Sequence, residues 1–144
     1  MSETKNSILV VDDNDINIAI LEDILKHDYE VHSAKDGVEA IEMVKDIMPD
    51  ILLLDVVLPK MGGFEVIKIL KEDPSTNEIP IIFVTALSDV DNERHGLQLG
   101  ADDYIQKPFD PVSVKLRVDI QMRIVSQMRK IQLLSDEVAM WMKD

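Results

Sequence analysis

Four apolar runs in this chain each stop at a polar side chain. Ile8-Leu9-Val10-Val11 is followed by Asp12-Asp13, and Ile51-Leu52-Leu53-Leu54 by Asp55. Ile81-Ile82-Phe83-Val84 is followed by Thr85, and Tyr104-Ile105-Gln106 by Lys107-Pro108. An apolar run without polar alternation reads as a strand buried on both faces, the mark of a parallel sheet covered by helices. In an open parallel sheet the carboxyl ends of the strands share one edge, and ligands bind there. Three carboxylates, a hydroxyl and an ammonium would therefore converge at one place. That set suits a divalent cation and a phosphoryl group.

The segments between the runs supply the helices. Strand and helix alternate five times: strand Ser7–Val11, helix Asp15–His27, strand Tyr29–Ala34, helix Asp36–Met48, strand Asp50–Leu54, helix Phe64–Lys71, strand Ile79–Val84, a helix from Ser88 to Leu99, strand Asp103–Gln106, and a long helix opened by Asp110. Ile16, Ile20, Leu21, Ile24 and Leu25 make the expected inner face of the first helix, and Val38, Ile41 and Val44 that of the second. Ser88 is the expected N-cap of the fourth, and Gly100 its stop. Pro111 sits in the first turn of the fifth. Asp50–Leu54, the most apolar strand, belongs at the centre of the sheet. Such alternation implies right-handed crossovers and helices on both faces.

Composition closes several routes. The chain has 144 residues, one domain's worth, and no cysteine, which excludes disulfides, thiolate metal sites and thiol catalysis. No apolar run approaches the roughly 20 residues of a membrane helix, and Met1 to Asn6 is polar with no signal-peptide core behind it. A cytoplasmic location fits. A net charge of -13 argues against a nucleic-acid surface. The charge is uneven: residues 1–109 carry 9 Lys/Arg against 23 Asp/Glu, whereas residues 110–144 carry 6 against 5.

Each site residue has an ordinary reading beside its chemical one. A lone strand-end Asp is usually a solvated loop residue, but Asp55 at the mouth of the sheet is placed to act as a nucleophile and form an acyl phosphate. Asp12 and Asp13 repel one another unless a cation neutralises them. Magnesium is the natural one, with Mn2+ as a substitute. Asp13 and Asp55 are expected to bind it directly, Asp12 mainly through water, and the Val57 carbonyl to add an oxygen. A helix-dipole role suits Asp15 better than either. Lys107 alone would be a surface lysine; here it is the counter-charge, and Pro108 after it makes a cis peptide plausible. Thr85 is ordinarily just a good strand residue, but here it offers a hydroxyl to a phosphate oxygen; Tyr104 is ordinarily a half-buried strand aromatic.

The stretches "ILVVDDNDIN", "PDILLLDVVLPKMGGFEVI", "IPIIFVTAL" and "GADDYIQKPF" together resemble the receiver domain of two-component response regulators. The resemblance runs from about Ser7 to about Met122. It implies a flavodoxin-like fold, a doubly wound five-stranded parallel sheet of order 2-1-3-4-5. It also implies a division into a receiver domain, residues 1–122, and an extension of the last helix, residues 123–144. Asp55 then corresponds to the phospho-accepting aspartate, supplied by a histidine kinase or a histidine phosphotransfer protein. Thr85 and Tyr104 fall at the switch positions, where phosphorylation biases the surface made by the fourth helix, fifth strand and fifth helix. Val57 and Leu87 are apolar and cannot position a hydrolytic water, so slow self-dephosphorylation is expected.

The tail adds its own pattern. Ile120, Ile124, Gln127, Ile131, Leu134, Val138 and Trp141 are spaced 4, 3, 4, 3, 4, 3, a heptad seam with Ile124, Ile131 and Val138 at a. β-Branched residues at a favour a parallel two-stranded coil. A homodimer, or a linker to an output module, is expected over packing on the chain's own body. The chain is accordingly expected to be a signalling switch and not an enzyme. Two alternatives stand. One is a magnesium-dependent phosphatase with an aspartate nucleophile, for which Asp13 and Asp15 have the spacing but Asp55 and "KPF" are unexplained. The other is a scaffold that dimerises constitutively through the tail. A flavin site is a poor fit, since a phosphate loop should be rich in Gly, Ser or Thr.

Overall fold

A computed structural model describes residues 5–86 and 89–143. Five strands and five helices alternate: β1 (Ser7–Val11), α1 (Asp15–Leu25), β2 (Glu30–Ala34), α2 (Gly37–Ile47), β3 (Ile51–Asp55), α3 (Gly63–Glu72), β4 (Ile81–Ala86), α4 (Val90–Gln98), β5 (Asp103–Lys107) and α5 (Pro111–Trp141). The strands form one parallel sheet of order β2-β1-β3-β4-β5, with β3 at its centre.

Side chains alternate across the sheet, and both faces are apolar. Leu9, Val11, Leu52, Leu54, Ile81 and Phe83 pack with Ala40, Val44, Val66, Ile67 and Leu70 of α2 and α3. Ile8, Val10, Ile51, Leu53, Ile82 and Val84 pack with Ile18, Leu21 and Leu25 of α1 and with Val114, Val118 and Met122 of α5. This explains why the strands read as continuous apolar runs.

Glycines let two helices approach closely. A Cβ on Gly63 would lie 2.3 Å from the Asp55 carbonyl oxygen, so only glycine allows α3 to start against the end of β3. A Cβ on Gly96 would lie 2.4 Å from the Phe83 ring under α4. Gly100, at φ +110, ends α4 in a conformation that suits glycine.

The inner faces of two helices differ from expectation. In α1, Ile18, Leu21 and Leu25 are buried and Ile24 partly so, whereas Ile16 and Ile20 face solvent. In α2, Ala40 and Val44 are buried, Ile41 is partly so, and Val38 is exposed. Two overlapping apolar stripes run along α1, and docking on the sheet selects one of them. Boundaries also shift. Pro80 keeps Ile79 out of β4, which instead continues through Thr85 to Ala86. Asp89 accepts a capping bond at the start of α4, from the Asn92 N–H at 3.1 Å. Ser88 and Leu87 lie outside the described residues. Among the described residues no helix is long and apolar enough to cross a membrane.

Candidate functional site

The parallel register gathers the expected site residues on one edge. Val11 pairs with Leu54, Asp55 with Val84, Thr85 with Gln106 and Ala86 with Lys107. Asp12 therefore follows β1 directly beside the end of β3, and Lys107 ends β5 on the other side of Thr85.

Asp55 is 4% exposed and both of its carboxylate oxygens are engaged. The Val57 backbone N–H donates to Oδ1 at 2.9 Å, and the Lys107 ammonium donates to Oδ2 at 2.6 Å. Lys107 also lies 3.7 Å from Oδ2 of Asp12. The Lys107-Pro108 peptide is cis.

Asp12 is 1% exposed and is held by its own helix entry. The Asn14 N–H donates to its Oδ1 at 2.9 Å and the Asn17 amide to its Oδ2 at 3.2 Å. Asn14 in turn caps α1, its side-chain oxygen accepting from the Ile16 and Asn17 N–H groups. Burial, with the Asp55 charge beside it, raises the Asp12 carboxyl above the ordinary carboxylate range, against the lowering effects of the Asn14 N–H and Lys107. Desolvation pulls Lys107 down, but its pairing with Asp55 and Asp12 outweighs this and leaves it raised.

Two buried carboxylates thus share one ammonium. Among the described residues Lys107 is the only basic group within ion-pair range of either. Asp13, next to Asp12, is exposed. Among the described residues no three carboxylate or imidazole side chains stand close enough together to hold a metal ion as they are. The expected convergence of three carboxylates is therefore two paired side chains and an exposed third. The donor set still fits a hard cation in kind: all oxygen, with more buried negative charge than one ammonium balances.

Thr85 is buried, and its hydroxyl has no hydrogen-bond partner among the described residues. Tyr104 stands half-exposed beside its register partner Phe83, their ring centroids 5.8 Å apart. The Arg117 guanidinium lies 5.8 Å from its ring, itself held by both oxygens of Asp103 at 2.9 Å. Glu93 beside the Tyr104 hydroxyl raises its pKa, and Glu93 also accepts from the Gln106 amide at 2.8 Å. Glu93 and Arg117 were not legible as neighbours of Tyr104, because α4 and α5 approach β5 only in three dimensions. The one sequence hint was their position on the two helices that flank that strand.

A model of the response regulator receiver domain matches residues 8–119, and the chain belongs to that family. Response regulator PleD of Caulobacter vibrioides is 46% identical over 112 residues, 77% of this chain and 25% of that protein. A probable transcriptional regulator, ycf27 of Guillardia theta, is 41% identical over 122 residues, 84% of this chain and 47% of that protein. The chain thus spans at most about half of these relatives. Among solved structures, a putative response regulator from Chloroflexus aurantiacus superposes with a TM-score of 0.81 at 35% identity, covering 83% of this chain and 99% of that one.

Proposed function

We propose that this receiver domain is a switch that takes a phosphoryl group on Asp55 from the phosphohistidine of a histidine kinase or phosphotransfer protein. One observation carries the reading: a buried nucleophilic carboxylate whose two oxygens are oriented separately, by the Val57 N–H and the Lys107 ammonium. In the transfer a carboxylate oxygen attacks phosphorus, the P–N bond of the donor breaks, and the imidazole leaves with a proton from solvent. Lys107 is read as following the phosphoryl oxygens, and the Thr85 hydroxyl, unpartnered among the described residues, as donating to one of them. Asp12, Asp13, Asp55 and the Val57 carbonyl would hold Mg2+, or Mn2+ in its place, and the ion would offset negative charge on the phosphoryl oxygens. Tyr104 is the companion switch residue, and its outward position beside Glu93 and Arg117 fits an unphosphorylated state.

A donor surface lies next to the site. Ile16, Ala19, Ile20, Ile24 and Pro111 line a shallow apolar cleft of about 490 Å³, rimmed by Asp15 and Asp23. We read it as the seat of the donor's helix. Phosphotransfer here is stoichiometric and not a turnover reaction, so the chain is read as a signalling protein and not an enzyme, acting in the cytoplasm. The α5 tail is read as the site of homodimerisation.

Sedimentation in magnesium, with and without beryllofluoride as an acyl-phosphate mimic, tests the site and the tail together. A shift from monomer to dimer that Asp55→Asn abolishes is the expected result. An unchanged mass breaks the link between site and tail, and failure of kinase-driven phosphate incorporation at Asp55 overturns the acceptor role.

A further inference from the structure

After Val125, which is half-buried, every described residue of α5 is exposed, and among the described residues one ion pair, Arg129 with Asp50, joins this tail to the body. That pair fixes which way the helix faces. At about 100° per residue, Val118, Met122 and Arg129 lie on the body side, and the seam lies roughly 160° around from them. Ile120, Ile124, Ile131, Leu134, Val138 and Trp141 are all exposed on that outer side, Trp141 to 83%. The seam is therefore open along its whole length for a second helix.

The charges beside the seam say how that helix runs. Flanking g positions hold Arg123, Lys130 and Glu137. In a parallel pair each g faces an e five residues on, so Arg123 meets Met128, Lys130 meets Ser135 and Glu137 meets Met142, with no opposite charges paired. In an antiparallel pair g faces g, and Lys130 of each copy meets Glu137 of the other, twice by symmetry. The same register sets Ile131 opposite Leu134, Ile124 opposite Trp141 and Gln127 opposite Val138. Residues 120–131 carry three cations and no carboxylate, whereas residues 132–144 carry three carboxylates and one cation. Antiparallel packing lays one half on the other; parallel packing lays like on like. It also places the two strongly acidic bodies at opposite ends of the coil. The β-branched a positions and Gln127, which could bond its own copy, favour the parallel form, but only layer by layer.

We infer that the tail pairs with a second copy of this chain as an antiparallel coiled coil, its seam facing away from both bodies. This rests on the reading of the tail as a homodimerisation segment. The absence of native cysteine makes the test direct. Gln127→Cys and Val138→Cys chains are mixed in a thiol redox buffer with beryllofluoride and magnesium, and their mass is measured alongside. Residues 127 and 138 lie about 16 Å apart along one helix, so the two registers give different products. The expected product is the 127–138 heterodisulfide, at least tenfold over either homodisulfide. A dimer in which homodisulfides dominate, or in which no disulfide forms, overturns the antiparallel order and leaves the dimer reading standing. A monomeric mass overturns both. As a second arm, Lys130→Glu should raise the dimer dissociation constant about tenfold, and Lys130→Glu with Glu137→Lys in one chain should restore it. Failure of that restoration, in a variant with native circular dichroism, counts against the pairing.

Discussion

Replacing Lys107 by Met removes the one ammonium shared by two buried carboxylates while leaving the aliphatic length in place. Lys107 lies 2.6 Å from Asp55 and 3.7 Å from Asp12, and those carboxylates are nearly inaccessible to water. Breaking a fully buried pair by deleting one partner costs about 3–5 kcal/mol, because the other charge stays buried and unpaired. The Lys107 side chain is about one third exposed, so solvent screens part of this, and the expected loss is about 2–3 kcal/mol at neutral pH without divalent cation. That is roughly 6–12 °C in Tm for a domain of this size. The pH dependence follows from the sign of the shift. Asp12 is already raised above 3.8, and Lys107 is one of the groups holding it down. A carboxyl raised in the folded state stabilises below its unfolded pKa, and that contribution is lost as pH rises through the raised value. The variant should therefore approach the wild type as pH falls toward 4 and diverge from it above. Magnesium at ten times its dissociation constant should restore about 1.4 kcal/mol. Urea midpoints at several pH values, with and without magnesium, are the assay. Equal midpoints for the two proteins at pH 7 in chelator would refute the reasoning, since the carboxylates would then not depend on the lysine.

Three further outcomes are expected, two from the structure and one from the sequence. Gly63→Ala should cost about 1–3 kcal/mol in urea unfolding, while Gly62→Ala, whose Cβ would meet nothing closer than 3.8 Å, should be near neutral; equal losses would show that α3 does not need the close approach. Tyr29→Phe removes a buried hydroxyl that donates to Asp119, at a cost of about 1–2 kcal/mol. Burial and Asp119 raise the Tyr29 pKa, so its contribution is present below pH 10 and is lost as pH rises further; thermal melts of the two proteins should converge there. Val57→Asn with Leu87→Glu should speed loss of the acyl phosphate, followed by phosphate release from the labelled protein; an unchanged rate would mean that water access is not limited at these positions.

The strands and their polar ends were readable in the chain because a strand buried on both faces must be apolar throughout, and the break to Asp12, Asp55 or Lys107 marks where the apolar run gives way to the polar edge of the sheet. The family was legible in four motifs standing in order, and the sheet order came with that resemblance and not from the spacing itself. Helix faces were not. In α1 the stripe through Ile16 and Ile20 and the stripe through Ile18, Leu21 and Leu25 are both apolar, and only packing against the sheet and α5 buries the second. The partners of Tyr104 were hidden for a related reason: Glu93 and Arg117 lie on separate helices, and no local periodicity links them to β5. The tail divides the same way. Its heptad spacing is a property of residue order, but the direction in which the seam points depends on Val118, Met122 and Arg129 meeting the body, a set of contacts that exists only once the sheet has formed. Periodicity records which residues share a side of a helix, whereas burial of a side requires a second surface, and that surface comes from residues distant in the chain.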